Sequence, residues 1–323
     1  MSSARDIFFR EFLNFKDLFW VYPVAFFLAL ALVLLLTPLV IRLAIKTGAL
    51  DQPDSRKVHT RPIPRLGGTA IFFSFFTILF GILAYLKFIK GIELKGIENL
   101  TAIFISSSIL FTIGLIDDFK GLTPRAKLAF QVIAALILIQ QGIGITFLRQ
   151  PSGGLVYLPA WLAIVLSLLW LVIVTNALNL MDGLDGLLAG ISVITGFIFL
   201  VASVIKGQVL VALMMAIIMG TCLGFLKYNF NPARIFMGDS GSLFLGLLFA
   251  TVAVMGGLKS TATISLIFPV LIMAVPLLDT TLAIFRRIKK RRPIFQADKE
   301  HIHHQLLSHG WSQAGAVLLI YIV

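Results

Sequence analysis

Acidic and amide side chains recur every three residues in one short stretch of the chain. The segment reads N-A-L-N-L-M-D-G-L-D-G-L and contains Asn176, Asn179, Asp182 and Asp185. This spacing keeps neighbouring side chains on one face if the segment is helical. Carboxylates and carboxamides are hard oxygen ligands, suited to a magnesium ion that carries a phosphate. Helix capping in a short loop is the alternative interpretation, because Asp and Asn favour helix starts.

Three further aspartates lie at the ends of apolar runs. Asp117 and Asp118 end one run, where carboxylates are costly unless they are paired, solvated or bound to metal. Because their charges repel, one of them could act as a base. Asp239, in the segment G-D-S-G-S, begins another run, where helix N–H groups also favour phosphate oxygens. Solvated loop acids and a helix N-cap are the alternatives.

Two basic segments could contact anionic groups. The Pro- and Gly-containing loop at residues 54–68 carries Lys57, Arg61 and Arg65, which could grip phosphates. A charge cluster that only orients the chain in a membrane is the alternative. Three cations that follow the paired aspartates, including Lys127, could pair with those acids or meet lipid phosphates.

A histidine cluster lies near the C-terminal end, at His301, His303 and His304. Zinc is possible in principle, but no cysteine is near and the flanking groups are basic, so phosphate contact or proton transfer fits better. Phe236 could stack on a nucleobase, although packing at a membrane interface is common for phenylalanine.

The composition is typical of a helical membrane protein. The chain has 323 residues, 59% of them apolar and 13% charged, with a mean hydropathy of +0.98. Repeated apolar runs of about 18–25 residues mark membrane helices. The single cysteine, Cys222, excludes an internal disulfide.

We therefore predict one all-α polytopic domain over residues 1–323, with nine full spans and a partial one at 314–323. Those ten residues are too short to cross a membrane. They are either the start of a tenth span, which we favour, or a buried half-helix. The predicted full spans are Phe19–Ile45, Gly67–Leu86, Ala102–Ile116, Leu128–Ile143, Leu158–Thr175, Leu187–Val204, Val209–Leu226, Leu243–Leu258 and Ile264–Phe285.

The charge distribution predicts an orientation. Loops after the odd-numbered spans carry twice as many lysines and arginines as the remaining segments. The positive-inside rule puts these loops in the cytoplasm and the N-terminus outside. The acidic motifs and all five histidines then fall on the cytoplasmic side, as one reaction centre at that face would require.

Together, five motifs resemble the polyprenyl-phosphate N-acetylhexosamine-1-phosphate transferases. They are Arg61–Gly68 (R-P-I-P-R-L-G-G), Asp117–Asp118, Asn176–Leu187, Phe236–Ser242 and His301–His304. They occur in the family's order over nearly the whole chain. The H-I-H-H form followed by Q-L-L resembles the branch that uses UDP-N-acetylglucosamine. The branch that transfers phospho-MurNAc-pentapeptide typically has three consecutive histidines, which this chain lacks.

The resemblance implies transfer of N-acetylglucosamine-1-phosphate from UDP-N-acetylglucosamine to undecaprenyl phosphate, with release of UMP. It implies a multi-pass protein of the cell membrane with ten or eleven helices, Mg²⁺ as cofactor with Mn²⁺ as a substitute, a possible homodimer and no nucleic-acid partner. Another UDP-N-acetylhexosamine, or UDP-MurNAc-pentapeptide, is the alternative substrate. A secondary transporter is the alternative class, although it would place polar groups near the bilayer midplane. Direct attack and a covalent aspartyl intermediate both stay open.

The resemblance also assigns roles to residues. Asp239 is expected to hold the metal, with Asp118 or Asp185 assisting, and Asp117 to deprotonate or orient the acceptor phosphate. The histidine cluster is expected to act on the diphosphate or sugar. The expected substrate-binding residues are Lys57, Arg61, Arg65, Asn176, Asn179, Asp182, Asp185, Asn229 and Phe236. Gly121 departs from relatives that carry a further acid near that position.

Overall fold

The computed structural model describes residues 18–53, 61–92, 96–149, 154–258 and 311–322, and α-helices account for most of them. The helices are α1 (Val21–Thr47), α2 (Gly67–Ala84), α3 (Leu100–Lys120), α4 (Pro124–Gln140), α5 (Ala160–Met181), α6 (Leu187–Ile205), α7 (Val209–Asn229), α8 (Gly238–Leu258) and α9 (Gln313–Ile322).

Two short antiparallel strand pairs were not predicted. Strand β1 (Leu50–Asp51) pairs with β2 (Ile63–Pro64) just before α2. Strand β3 (Phe147–Arg149) pairs with β4 (Leu155–Tyr157) between α4 and α5. These pairs connect helices and leave the architecture a helical bundle.

Seven helices in the described part of the chain are long and apolar enough to cross a membrane, which supports a polytopic membrane protein. Each predicted span within the described residues coincides with an α-helix, whereas Ile264–Phe285 lies outside them. The apolar C-terminal stretch forms α9. Helix α4 has 17 residues, about 26 Å at 1.5 Å per residue, slightly short of a 30 Å hydrocarbon core.

Three of the predicted helix ends, next to the acidic and amide residues, were drawn too tightly around the apolar residues. Helix α3 continues through Asp117 and Asp118, which we had placed in a loop. Helix α5 runs six residues past its predicted end at Thr175, to Met181, and α8 begins at Gly238. The cause is the same throughout: polar side chains in these terminal turns find partners on neighbouring helices, so the helix outlasts its apolar run.

Helices α7 and α8 form the centre of the bundle. Helix α8 packs against α2, α3 and α5, while α7 packs against α1, α2 and α6. Gly114 of α3 allows the backbones of α3 and α8 to approach closely, because a Cβ atom there would lie 2.5 Å from the carbonyl carbon and oxygen of Asp239. This contact brings the last turn of α3 to the first turn of α8.

Candidate active site

Two carboxylates share one ammonium group where α3, α4 and α8 meet. The Nζ atom of Lys127 lies 2.7 Å from Oδ2 of Asp239 and 3.3 Å from Oδ2 of Asp117. Asp117 lies in the last turn of α3, Lys127 lies in the first turn of α4, and Asp239 lies in the first turn of α8. The Leu122 N–H also donates to Asp117 Oδ1, at 2.5 Å. Close like charges need such a cation, which holds both acids in place.

Asp118 points to the other side of this junction and caps α8. Its two oxygens accept hydrogen bonds from the Asp239 N–H at 2.9 Å, the Ser240 N–H at 3.1 Å and the Ser240 hydroxyl at 2.7 Å. The carboxylate therefore satisfies N–H groups that a helix start leaves unpaired, at the positive end of the helix dipole. Asp118 fixes where α8 begins and so where Asp239 lies.

Arg65 completes the surroundings of Asp118. Its Nη2 atom lies 3.2 Å from Asp118 Oδ1, and its Nη1 atom lies 3.4 Å from Asp51 Oδ1 on β1. Burial would lower the pKa of the Arg65 guanidinium, but the carboxylates of Asp118 and Asp51 raise it above its ordinary value. Arg65 is thus a fixed positive charge beside the acids.

The loop before α8 is fastened to the segment before α2 through backbone bonds. The Phe236 N–H donates to Pro64 O at 2.7 Å, and the Gly67 and Gly68 N–H groups donate to Phe236 O and Met237 O. The half-buried Phe236 therefore lies beside Arg65. Two of the five motifs that carry the family resemblance, Arg61–Gly68 and Phe236–Ser242, are thus in direct contact.

Asn176 and Asn179 lie inside α5, in its last two turns. Asn176 forms a reciprocal amide pair with Gln131 of α4, at 2.6 and 3.3 Å. Asn179 donates to the Ser242 hydroxyl of α8 at 2.7 Å. Asn176 therefore joins two helices, whereas Asn179 faces the start of α8 near Asp239.

The acidic loop at residues 182–186 follows α5, and its two aspartates face different neighbours. Burial raises the pKa of Asp182 well above its ordinary value; the charges of Asp239 and Asp118 raise it further, and Arg65 opposes them. The charges of Asp239, Asp118 and Arg65 therefore act on Asp182. Asp185 Oδ2 instead accepts hydrogen bonds from Asn231 Nδ2 and the Ala233 N–H, both at 3.0 Å.

Asn229, a predicted substrate-binding residue, has structural partners. Its Oδ1 atom accepts from the Gly186 N–H at 3.1 Å, and its Nδ2 group donates to Ile235 O at 2.9 Å. Arg61 is exposed at the beginning of a described range. Four other predicted site residues lie outside the described ranges: Lys57, His301, His303 and His304.

The junction has the donors that magnesium prefers, but not a complete set. Among the described residues, no three His, Cys, Asp or Glu side chains are grouped closely enough to hold a metal ion. Magnesium commonly takes one or two carboxylates and completes its shell with phosphate and water oxygens, so Asp117 and Asp239 fit this pattern. Asp118 fits it poorly, because four donors already surround its two oxygens.

Several residues at this junction were missed or undervalued in the sequence. Lys127 was considered as a partner for the acids or for lipid phosphates but not as a site residue, and Gln131, Ser240 and Ser242 were not considered as site residues either. Lys127 and Gln131 are four residues apart at one end of an otherwise apolar helix, and Gln131 is buried. This polar stripe at i, i+4 spacing was the available signal.

Comparisons with known proteins agree with the motifs. The sequence model of glycosyl transferase family 4 matches residues 100–257. The chain is 42% identical to the probable undecaprenyl-phosphate N-acetylglucosaminyl 1-phosphate transferase of Bacillus subtilis (strain 168), covering 93% of this chain and 81% of that protein.

Two further relatives differ in the substrates that their names give. A decaprenyl-phosphate N-acetylglucosaminephosphotransferase of Mycolicibacterium smegmatis is 38% identical, covering 87% of this chain and 74% of the relative. A phospho-N-acetylmuramoyl-pentapeptide-transferase of Caldicellulosiruptor bescii is 31% identical, covering 92% of each chain. Given this similarity over nearly its full length, the chain belongs to the polyprenyl-phosphate N-acetylhexosamine-1-phosphate transferases of glycosyl transferase family 4.

Proposed function

We propose that this protein transfers N-acetylglucosamine-1-phosphate from UDP-N-acetylglucosamine to undecaprenyl phosphate and releases UMP. The observation that carries the proposal is the 42% identity, over 93% of the chain, to a relative named as a probable undecaprenyl-phosphate N-acetylglucosaminyl 1-phosphate transferase. The nucleotide-sugar donor and the release of UMP follow from the family resemblance. The junction of Asp117, Lys127 and Asp239, called the carboxylate junction below, supports the proposal. Transfer of a phosphoryl-type group depends more on positioned charges than on covalent chemistry by the protein.

The reaction joins two anions, so its site must offset their repulsion. An oxygen of the lipid phosphate attacks the β-phosphorus of the nucleotide sugar, and the bond from that phosphorus to the bridging oxygen breaks as UMP leaves. We assign Asp117 to orient the acceptor phosphate or accept its proton. Lys127 keeps Asp117 and Asp239 at a fixed separation, and Arg65 supplies a second positive charge beside the acids.

Magnesium is the proposed cofactor, with manganese as a substitute. Asp239 is the proposed metal residue, together with Asp117 across Lys127. A bound ion would neutralise the negative charge of the diphosphate. We retain Asp118 as an essential residue that acts by holding the start of α8. The assisting role of Asp185 stays a prediction.

We place the reaction at the cytoplasmic face of the cell membrane. The acceptor's hydrocarbon tail must stay in lipid while its phosphate reaches a water-soluble nucleotide sugar. The contacts between Arg65, Asp118, Lys127 and Asp239 gather the charged groups at one end of the bundle, which supports an interfacial site and disfavours a midplane transport site. A homodimer stays a prediction.

A panel of nucleotide sugars tests the substrate. Purified protein in detergent, with undecaprenyl phosphate and magnesium, is expected to release UMP from UDP-N-acetylglucosamine faster than from UDP-N-acetylgalactosamine or UDP-MurNAc-pentapeptide. Preference for the pentapeptide substrate would favour the activity named for the Caldicellulosiruptor bescii relative and overturn the proposed specificity.

A further inference from the structure

We infer that helix α9 is a buttress for the acidic loop at residues 182–186, and that Tyr321 and Gln313 are positioning residues for binding of the nucleotide sugar. The inference rests on the proposed function for the identity of the ligand. Three sets of contacts carry it: an apolar face of α9, a hydrogen bond at one end of that face and an amide contact at the other.

One face of α9 packs against the helices on either side of the acidic loop. Ala316, Val317 and Ile320 are buried at helical spacing, and Tyr321 adjoins them. Within the described part of the chain, the opposite face is exposed, at Leu318 (49%) and Ile322 (84%). The buried face contacts a cluster formed by Met181, Leu184, Leu187 and Ile191, which bracket or lie within the loop. Apolar packing therefore sets α9 directly against the loop.

Tyr321 binds the last residue of the loop. Its hydroxyl donates to Gly186 O at 2.6 Å. Gly190, one turn further along α6, leaves space for the tyrosine ring, because a Cβ atom there would overlap it. On the other side of Gly186, its N–H donates to Asn229 Oδ1. The Gly186 peptides are thus held by α9 through the carbonyl and by α7 through the N–H.

Gln313 makes the second polar connection, through Asn231. The Nδ2 group of Asn231 donates to Gln313 Oε1 at 2.9 Å and to Asp185 Oδ2 at 3.0 Å. Because Ala233 N–H binds the same Asp185 oxygen, the loop acid, the segment after α7 and α9 form one connected network. Gln313 and Tyr321 are eight residues apart, about 12 Å along the helix, so they hold α9 at two separate points.

The position of the loop matters because Asp182 lies three residues after Asn179, whose amide group donates to the Ser242 hydroxyl in the first turn of α8. The loop therefore starts close to the end of α8 that carries Asp239. The contacts of α9 with Leu184 and Gly186 hold the loop in place around Asp182. Loosening these contacts should therefore weaken nucleotide binding more than it slows the transfer itself.

The smallest test is Tyr321→Phe, which removes one oxygen and keeps the ring. We expect the KM for UDP-N-acetylglucosamine to rise about fivefold, the effect of losing one hydrogen bond worth about 1 kcal/mol. The affinity for UDP, measured by titration calorimetry, should fall by a similar factor. The kcat and the KM for undecaprenyl phosphate should stay within about twofold. Gln313→Ala should act in the same direction. Tyr157→Phe, at an exposed tyrosine on β4, is the matched control and should change nothing.

The outcomes separate the possible failures. Wild-type KM and UDP affinity in both Tyr321→Phe and Gln313→Ala would overturn the inference. The inference would also be overturned if the variants raised both KM values and lowered kcat by similar factors, together with a lower melting temperature. That pattern would indicate general destabilisation of the protein. Wild-type protein that turns over no UDP-sugar would instead overturn the proposed function, while the UDP titration would still decide the role of α9.

Discussion

Adjacent aspartates at the end of α3 have different partners and therefore different roles. Asp117 faces Lys127 and, across it, Asp239. Asp118, the next residue, is fully buried and binds Arg65 and the first N–H groups of α8. Successive residues of a helix point about 100° apart, so a D-D pair can serve two sites at once.

This division predicts different outcomes for the two amide variants. Asp117→Asn should lower kcat by about a hundredfold or more, the usual range for a lost acid–base group, and leave the melting temperature nearly unchanged. Asp118→Asn should lower both, because its amide group presents N–H donors to backbone N–H donors, at a cost of about 1–3 kcal/mol. Activity assays and thermal unfolding in detergent measure the two effects. Equal melting temperatures for the two variants would contradict the capping role.

Lys127 provides the second test at single residues. Lys127→Met should lower activity by about 10–100-fold, because Asp117 and Asp239 then repel without a cation between them. Lys127→Arg keeps the charge and should retain more activity. Arg125→Met, at an exposed cation two residues earlier, is the control and should stay within about twofold. Similar losses at both positions would point to a general charge effect instead.

The residue types of the junction could be predicted from the sequence, but their pairing could not. The acids stood out because each begins or ends an apolar run. Nothing in the linear order indicates that Asp118 binds α8 while Asp117 binds Lys127, since that depends on the rotation of α3 about its axis. The close approach at Gly114 fixes this rotation, and it is visible only once both helices are placed.

Between helices, polar pairs set the register of an otherwise apolar bundle. Gln131 and Asn176 join α4 to α5, and Trp170 Nε1 donates to Ala250 O at 3.0 Å, which joins α5 to α8. Apolar packing allows sliding by small amounts, whereas amide hydrogen bonds require one alignment. The Gln131 pair lies one turn from Lys127, so its alignment also places the ammonium group.

The two interhelical bonds should therefore differ in effect. Gln131→Ala and Trp170→Phe should both lower the melting temperature, since each removes a partly buried hydrogen bond between two helices. Gln131→Ala should also lower kcat by about tenfold, whereas Trp170→Phe should leave kcat within about twofold at temperatures where both are folded. The double variant Gln131→Asn with Asn176→Gln exchanges the two amide side chains and should recover most of the kcat that Gln131→Ala loses. Identical kcat losses in the two single variants would show that Gln131 has no special relation to the site.

The existence of the helices was predictable, and their ends were less so. Apolar runs located the helices because a lipid-facing helix must be apolar over most of its length. The ends were misjudged at Asp117, Met181 and Gly238, where polar residues continue a helix. In α4 the signal was present: Thr123 accepts a hydrogen bond from the Ala126 N–H, and Pro124 follows at the first helical position.

At the scale of the whole molecule, the alternation of helices collects the motifs at one end. The starts of α2, α4, α6 and α8 and the ends of α3, α5 and α7 all contribute residues to the connected contacts described above. The distribution of lysines and arginines predicted that the motifs lie on one side, because the loops that carry the motifs are also the loops rich in basic residues. The direction of the bundle in the membrane rests on that rule alone and needs its own test.

Single cysteines can measure the orientation, because the native Cys222 is fully buried. Arg125→Cys introduces an exposed thiol in the first turn of α4, next to the loop that follows α3, and Lys90→Cys introduces one in the segment that follows α2. A membrane-impermeant maleimide should label the Lys90 variant on intact cells and the Arg125 variant only after the membrane is opened. The reverse pattern would place the carboxylate junction outside the cell, away from any cytosolic nucleotide sugar.

We propose that the junction of Asp117, Lys127 and Asp239 catalyses transfer from a nucleotide sugar to a lipid phosphate. The most direct measurement compares UMP release with formation of undecaprenyl-diphosphate-N-acetylglucosamine, detected by mass spectrometry, for wild type and Asp239→Asn. We predict equal amounts of the two products from the wild type, only when magnesium and undecaprenyl phosphate are both present, and almost none from the variant. UMP release without lipid product, or full activity in folded Asp239→Asn, would contradict the account.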